Sequence, residues 1–126
     1  MVMRILVVDD SAAVRARLTR LLRDIEGVEL VVEAEDTVKA LHLSQVMSPH
    51  LIFLDLDLGA QSGLDILPIF KRRPLAPKVV VLTNHSGDAY AERCRELGAD
   101  HFFDKSKEFQ QAIDIVHDGL SSRRRS

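Results

Sequence analysis

Three unbroken apolar runs, Ile5-Leu6-Val7-Val8, Leu51-Ile52-Phe53-Leu54 and Val79-Val80-Val81-Leu82, constrain the chain more than any other feature. A strand with one wet face alternates polar and apolar residues, so runs without alternation belong to strands covered on both faces. Val28–Val32, interrupted by Glu29, and His101-Phe102-Phe103 complete a set of five strand candidates. Helix-period segments lie between them. Val14, Leu18, Leu21, Leu22 and Ile25 fall on one helical face, and Phe109, Ala112, Ile113, Val116 and Leu120 form a second such stripe. Tyr90, Cys94 and Leu97 give a weaker one that stops at Gly98, a candidate helix-ending residue. The remaining helices are predicted over about Thr37–Met47 and Leu64–Arg72. Pro68 lacks an N–H, which predicts that the latter begins near Asp65 or kinks at Pro68.

Strict strand–helix alternation predicts an α/β fold, a doubly wound five-stranded parallel sheet with helices on both faces. The 126 residues suffice for one domain, placed at residues 1–120. The polar tail, residues 121–126, is expected to fray, with its three arginines solvated. Nineteen acidic against 17 basic residues leave a net charge of −2, which gives no domain-wide attraction to nucleic acid or membrane. No apolar stretch approaches the ~20 residues of a membrane span. The lone Cys94 cannot close an internal disulfide, so a reducing, cytoplasmic location is expected.

Ligands of open parallel sheets bind outside the carboxyl ends of the strands. Asp9 and Asp10 follow the first strand, Asp55 and Asp57 the third, Thr83, Asn84 and His85 the fourth, and Asp104 and Lys105 the fifth. Each has an ordinary explanation taken singly: acids after strands cap helices, as Asp10 or Ser11 would for the first helix, and a strand-end threonine packs. Together they do not. Two unit charges 4 Å apart repel by ~4 kcal/mol at an effective dielectric near 20, so a cluster of carboxylates calls for a cation. One lysine is insufficient. Oxygen ligands select a hard divalent ion, Mg²⁺ first, and no His/Cys cluster points to zinc. Carboxylates, a hydroxyl and an ammonium at one sheet end are the groups that acyl-phosphate chemistry requires.

Ile5-Leu-Val-Val-Asp-Asp-Ser11, Leu51-Ile-Phe-Leu-Asp55, Gly63, Val79-Val-Val-Leu-Thr83 and Gly98-Ala-Asp-His-Phe-Phe-Asp-Lys105 resemble bacterial two-component response-regulator receivers, over about residues 3–120. The resemblance implies a flavodoxin-like (βα)5 fold with strand order 2-1-3-4-5. It implies Asp55 as phosphoacceptor, with Asp10 and Asp55 binding Mg²⁺ directly, the backbone carbonyl of Asp57 joining them, and Asp9 acting through water. Thr83 and Lys105 would hold the phosphoryl oxygens. Phe102 stands where the family has an aromatic residue that turns inward on activation. The implied donor is a sensor histidine kinase or phosphotransfer protein. The output is a change in the face of the fourth helix, fifth strand and fifth helix, read by an unidentified downstream protein. On this reading the domain is a switch, not a turnover enzyme. Asp57 and His85, two residues past Asp55 and Thr83, are expected to flank the approach of water. Three positions depart from the family pattern: Leu58-Gly59 stands where Met-Pro is usual after the acceptor, Ser106 follows Lys105 where proline is usual, and Asn84 follows Thr83 where a small residue is common.

Three rival readings remain at this point. Leu51-Ile-Phe-Leu-Asp-Leu-Asp57 also resembles the first motif of haloacid-dehalogenase-type phosphatases, in which the motif opens the chain; here Asp9 and Asp10 precede it. A flavodoxin-type carrier would need a phosphate loop after the first strand, where Asp9 and Asp10 would repel the phosphate. A receiver-like module that binds without phosphorylation would not need the set Asp10, Asp55, Thr83 and Lys105.

Overall fold

The computed structural model describes residues 2–85 and 87–125, the side chains of 122–125 excepted. In chain order the elements are β1 (Met3–Val8), α1 (Ala12–Arg23), β2 (Val28–Ala34), α2 (Thr37–Met47), β3 (Leu51–Leu54), β4 (Asp57–Leu58), β5 (Gln61–Ser62), α3 (Gly63–Lys71), β6 (Lys78–Thr83), α4 (Asp88–Glu96), β7 (His101–Asp104) and α5 (Phe109–Arg125). Five strands make one parallel sheet in the order β2-β1-β3-β6-β7. β4 and β5 stand outside it as a two-residue antiparallel pair, so the five sheet strands follow the expected 2-1-3-4-5 order.

The unbroken apolar runs occupy the centre, and each strand divides its residues between two cores. Ile5, Val7, Phe53, Val80 and Leu82 face α1 and α5, meeting Leu18, Leu22 and Val116. Leu6, Val8, Ile52, Leu54, Val79 and Val81 face the other way, onto Ala40, Leu67, Phe70 and Cys94 of α2, α3 and α4. Both faces of β1, β3 and β6 are therefore dry, which is why their sequences show no alternation. Burial pushes the Cys94 thiol up to about 11, so it stays a neutral core group.

Helix ends follow local chemistry. Ser11 caps α1 by accepting from the Val14 N–H at 3.3 Å, and Asp36 caps α2 by accepting from the Lys39 N–H at 2.8 Å. Gly98 sits at φ 106° after α4; its N–H reaches the Arg95 carbonyl and the Ala99 N–H the Cys94 carbonyl, the paired closure of a Schellman end.

Two expectations are corrected. α3 starts at Gly63, not near Asp65, and is helical for a full turn before Pro68. Ser62 caps it, accepting from the Leu64 N–H at 3.1 Å, and buried Ile66, Leu67 and Phe70 hold it against the sheet. Those gains outweigh the one main-chain bond that Pro68 cannot donate. The expected frayed tail is helical backbone through Arg125, as the high helix propensity of arginine allows. Ser126 lies outside the described residues. Tyr90 is exposed and leaves the α4 core contact to Cys94.

Candidate functional site

The carboxyl ends of β1, β3, β6 and β7 gather the residues singled out above. The Asp9 N–H continues the β1–β2 ladder to the Ala34 carbonyl at 3.1 Å, and the Asp55 N–H continues the β1–β3 ladder to the Val8 carbonyl at 2.9 Å. The sheet thus delivers both side chains to one place. Asp9, Asp10 and Asp55 each offer an oxygen within 4.8 Å of the others. Asp9 and Asp55 are buried, whereas Asp10 is exposed.

Lys105 reaches into this cluster from the loop after β7. Its Nζ donates to Asp55 Oδ2 at 2.8 Å and lies 2.7 Å from Asp9 Oδ2. Burial alone would lower the lysine's pKa; hydrogen bonds and charge attraction from Asp55 and Asp9 outweigh it and hold the ammonium above its ordinary value. Burial raises the Asp9 pKa, and the charge of Asp55 adds to this, against hydrogen bonds from Lys105 and the Ser11 N–H. Ionising Asp9 therefore costs stability, a cost absent below its unfolded pKa and complete once pH has risen through the raised folded value. A group of hard oxygens with one ammonium among them fits a divalent cation of the Mg²⁺ type.

The loops position the remaining groups. Thr83 is fully buried at the end of β6, and its Oγ1 accepts from the His85 N–H at 3.2 Å, which leaves its own proton available for donation. The Lys105 N–H donates to the Thr83 carbonyl at 2.9 Å, tying hydroxyl and ammonium to one pair of strands. Two of the departures from the family pattern meet: Ser106 Oγ donates to Asn84 Oδ1 at 3.3 Å. The Asp104 carboxylate accepts from the Ser106 and Lys107 N–H groups at 2.8 and 2.9 Å, so a turn closed by Asp104 holds the lysine loop where proline is absent.

Three features were not foreseen from the sequence. The short β4–β5 pair carries Asp57 beyond Asp55, and Thr37 is hydrogen-bonded to Gln61 at its return. The Asp57 carboxylate turns to His85, accepting from Nε2 at 2.9 Å, and the His85 ring lies 5.0 Å from that of Tyr90. Gly63, noted only for its spacing, presses on the Asp55 backbone. A Cβ built there would lie 2.4 Å from the Asp55 carbonyl oxygen. Gly63→Ala should therefore cost about 1–3 kcal/mol and shift the Asp55 loop, since backbone must give way. Chemical denaturation measures it; wild-type stability would mean that the loop yields freely.

Comparison with known proteins decides the family. The model of the response regulator receiver domain matches residues 5–117. The chain belongs to this receiver family. Among relatives, the transcriptional regulatory protein PdtaR of Mycobacterium tuberculosis is 31% identical over 94% of this receiver chain and 57% of its own length. The response regulator GacA of Pseudomonas aeruginosa is 28% identical, over 96% of this chain and 56% of its own. This receiver thus spans about half the length of such curated relatives. A LuxR-family two-component response regulator from Aurantimonas sp. superposes with a TM-score of 0.81 at 30% identity, covering 94% of this chain and 87% of its own. The signal receiver domain of a DNA-binding response regulator from Colwellia psychrerythraea supports the fold alone, with TM-score 0.87 at 22% identity and coverage of 94% and 98%. The receiver is a phosphorelay signalling domain, and neither the phosphatase nor the flavodoxin reading is favoured. Among its described residues no helix is long and apolar enough to cross a membrane.

Proposed function

We propose that Asp55 accepts a phosphoryl group from a phosphohistidine of a sensor histidine kinase or phosphotransfer protein. The observation that carries this is the buried Asp55 carboxylate, hydrogen-bonded by the Asp57 N–H at 3.2 Å and by Lys105 at 2.8 Å, beside Asp9 and Asp10. A carboxylate oxygen of Asp55 attacks phosphorus as the phosphorus–nitrogen bond breaks, and the imidazole leaves with the electron pair. Lys105 and the Thr83 hydroxyl then bind phosphoryl oxygens, the one as an ammonium, the other by turning its free proton toward them. Asp10 and Asp55, with the Asp57 carbonyl, would hold Mg²⁺ directly, and Asp9 would act through water. The bound ion supplies positive charge that neutralises phosphoryl oxygens.

The domain works as a switch and does not turn over substrate. The new charge at Asp55 draws Thr83 inward, and half-buried Phe102, which packs against the α4-side core, follows into the vacated space. The α4–β7–α5 face changes shape, and a downstream protein reads it in the cytoplasm without direct nucleic-acid contact by this domain. The Asp57–His85 pair shields the acyl phosphate from water.

Incubation with acetyl phosphate and Mg²⁺, followed by intact mass measurement, tests the proposal. One phosphoryl addition is expected, and chelation of Mg²⁺ should abolish it. No addition with Mg²⁺ present would reject the phosphoacceptor assignment.

A further inference from the structure

An open groove lies at the end of the sheet away from Asp55, where β1, β3 and β6 begin. Its volume is about 860 Å³. Leu51 lines it, and Asp55 is four residues further along the chain, so the two sites are separated by roughly 13 Å of strand. The walls are mainly apolar: Met3, Leu51, Leu75, Pro77 and Ile115. Leu75 is 94% exposed, a large apolar side chain displayed at the mouth.

Charge is distributed one way only. Arg4, Arg73 and Lys78 line the groove, and among the described residues no aspartate or glutamate does. Arg4 is engaged: its guanidinium donates to the Met47 and Ser48 carbonyls at the end of α2, at 2.8 and 2.9 Å. Among the described residues, Arg73 and Lys78 have no ion-pair partner. Arg73 is half-buried and Lys78 exposed, whereas among the described residues outside the groove the half-buried cations are matched, as in Lys71 with Asp100 at 2.8 Å and Arg15 with Glu33 at 3.1 Å. An apolar groove with unmatched cations is complementary to a molecule that is apolar and negative. Its volume falls in the range of roughly 300–1,000 Å³ typical of small-ligand pockets, with polar groups few enough to fix orientation.

We propose that this groove is a binding site for a small organic anion with an apolar body, its acid group met by Arg73 and Lys78 and its body laid over Leu51, Leu75 and Ile115. Arginine and lysine form charge-assisted hydrogen bonds with carboxylate, sulfonate or phosphate oxygens, while the walls bury the remainder. The site is independent of phosphorylation chemistry, because none of its residues lies among the carboxylates or at Thr83 and Lys105.

The test uses the whole chain and two probes of the same aromatic shape, anilinonaphthalene sulfonate and uncharged phenylnaphthylamine. Fluorescence titration gives affinities, and backbone amide shifts give the place of binding. The sulfonate should shift Leu51, Leu75 and Ile115 and bind more tightly than the neutral probe. Arg73→Glu with Lys78→Glu should weaken the sulfonate about tenfold and leave the neutral probe unchanged, as expected for two charge-assisted contacts. A milder pair, Arg73→Gln with Lys78→Gln, should fall between; melting temperature checks that both variants fold. Equal affinity for the two probes, with no effect of the charge reversals, would show an apolar hollow without anion preference and overturn the proposal. So would shifts confined to the α4–β7–α5 face, or no binding at all. Concentration-dependent shifts of groove residues without any probe would assign the groove to a second copy of the chain and overturn it equally.

Discussion

Asp55→Asn should leave the fold intact and remove phosphoryl uptake entirely. The carboxamide is nearly the same shape, so the strand end and the Asp57 N–H contact at 3.2 Å need not move. What disappears is the anionic nucleophile, since a neutral amide oxygen does not form a stable acyl phosphate. Loss of one carboxylate lessens repulsion within the Asp9, Asp10 and Asp55 group but also removes one ionic partner of Lys105, which keeps Asp9 at 2.7 Å, so the metal-free variant should change little in stability. Intact mass after acetyl phosphate and Mg²⁺, compared between parent and variant, reads the outcome. Phosphoryl addition to the variant at the parental rate would move the nucleophile to another carboxylate.

Lys105→Met should destabilise the metal-free protein by about 3 kcal/mol, the lower end of what breaking a buried ion pair costs. Methionine keeps an apolar stem but removes the ammonium that lies 2.7 Å from Asp9 and 2.8 Å from Asp55. Two buried carboxylates then face each other without a cation. The lower end is the right one because exposed Asp10 marks a wet side of the cluster. Removing Lys105 also takes away influences that lower the Asp9 pKa, so the variant should recover stability as pH falls and Asp9 takes up its proton. Mg²⁺ should restore more stability to the variant than to the parent, because without the competing ammonium the carboxylates bind the cation more tightly, and a ligand of the folded state alone stabilises it with the logarithm of its affinity. Urea unfolding with and without Mg²⁺ measures both effects. Parental stability in a chelator would show that Lys105 carries no such burden.

The legible parts of this molecule are those that one strand or one helix decides alone. Ile5–Val8, Leu51–Leu54 and Val79–Leu82 could be placed because dry surfaces on both sides leave no polar position in the sequence. Asp9, Asp10, Asp55 and Lys105 could be brought together because a parallel sheet sends all its strand ends the same way. Contacts that depend on how loops fold were not legible. The β4–β5 pair is too short for any periodicity, and the Asp57–His85 contact joins residues 28 positions apart through two loops. Pro68 misled because a rule about one backbone N–H was set against the Ser62 cap and three buried side chains, and the local rule lost. Gly63 carried a signal in its lack of a side chain, but only the approach of the Asp55 carbonyl reveals what it is for.

Thr83 pairs with Asp104 across β6 and β7, and the Lys105 N–H closes on the Thr83 carbonyl. The spacing between hydroxyl and ammonium is therefore fixed by counting residues. Substitutions can alter reactivity at either position while the geometry stays as it is. Insertions and deletions cannot be absorbed in the same way: one residue lost between Val79 and Leu82 would turn every later side chain of the strand to the opposite face. Length variation in this domain is thereby steered into segments such as the Arg72–Pro77 connection before β6, which can lengthen without resetting the distance between Thr83 and Lys105.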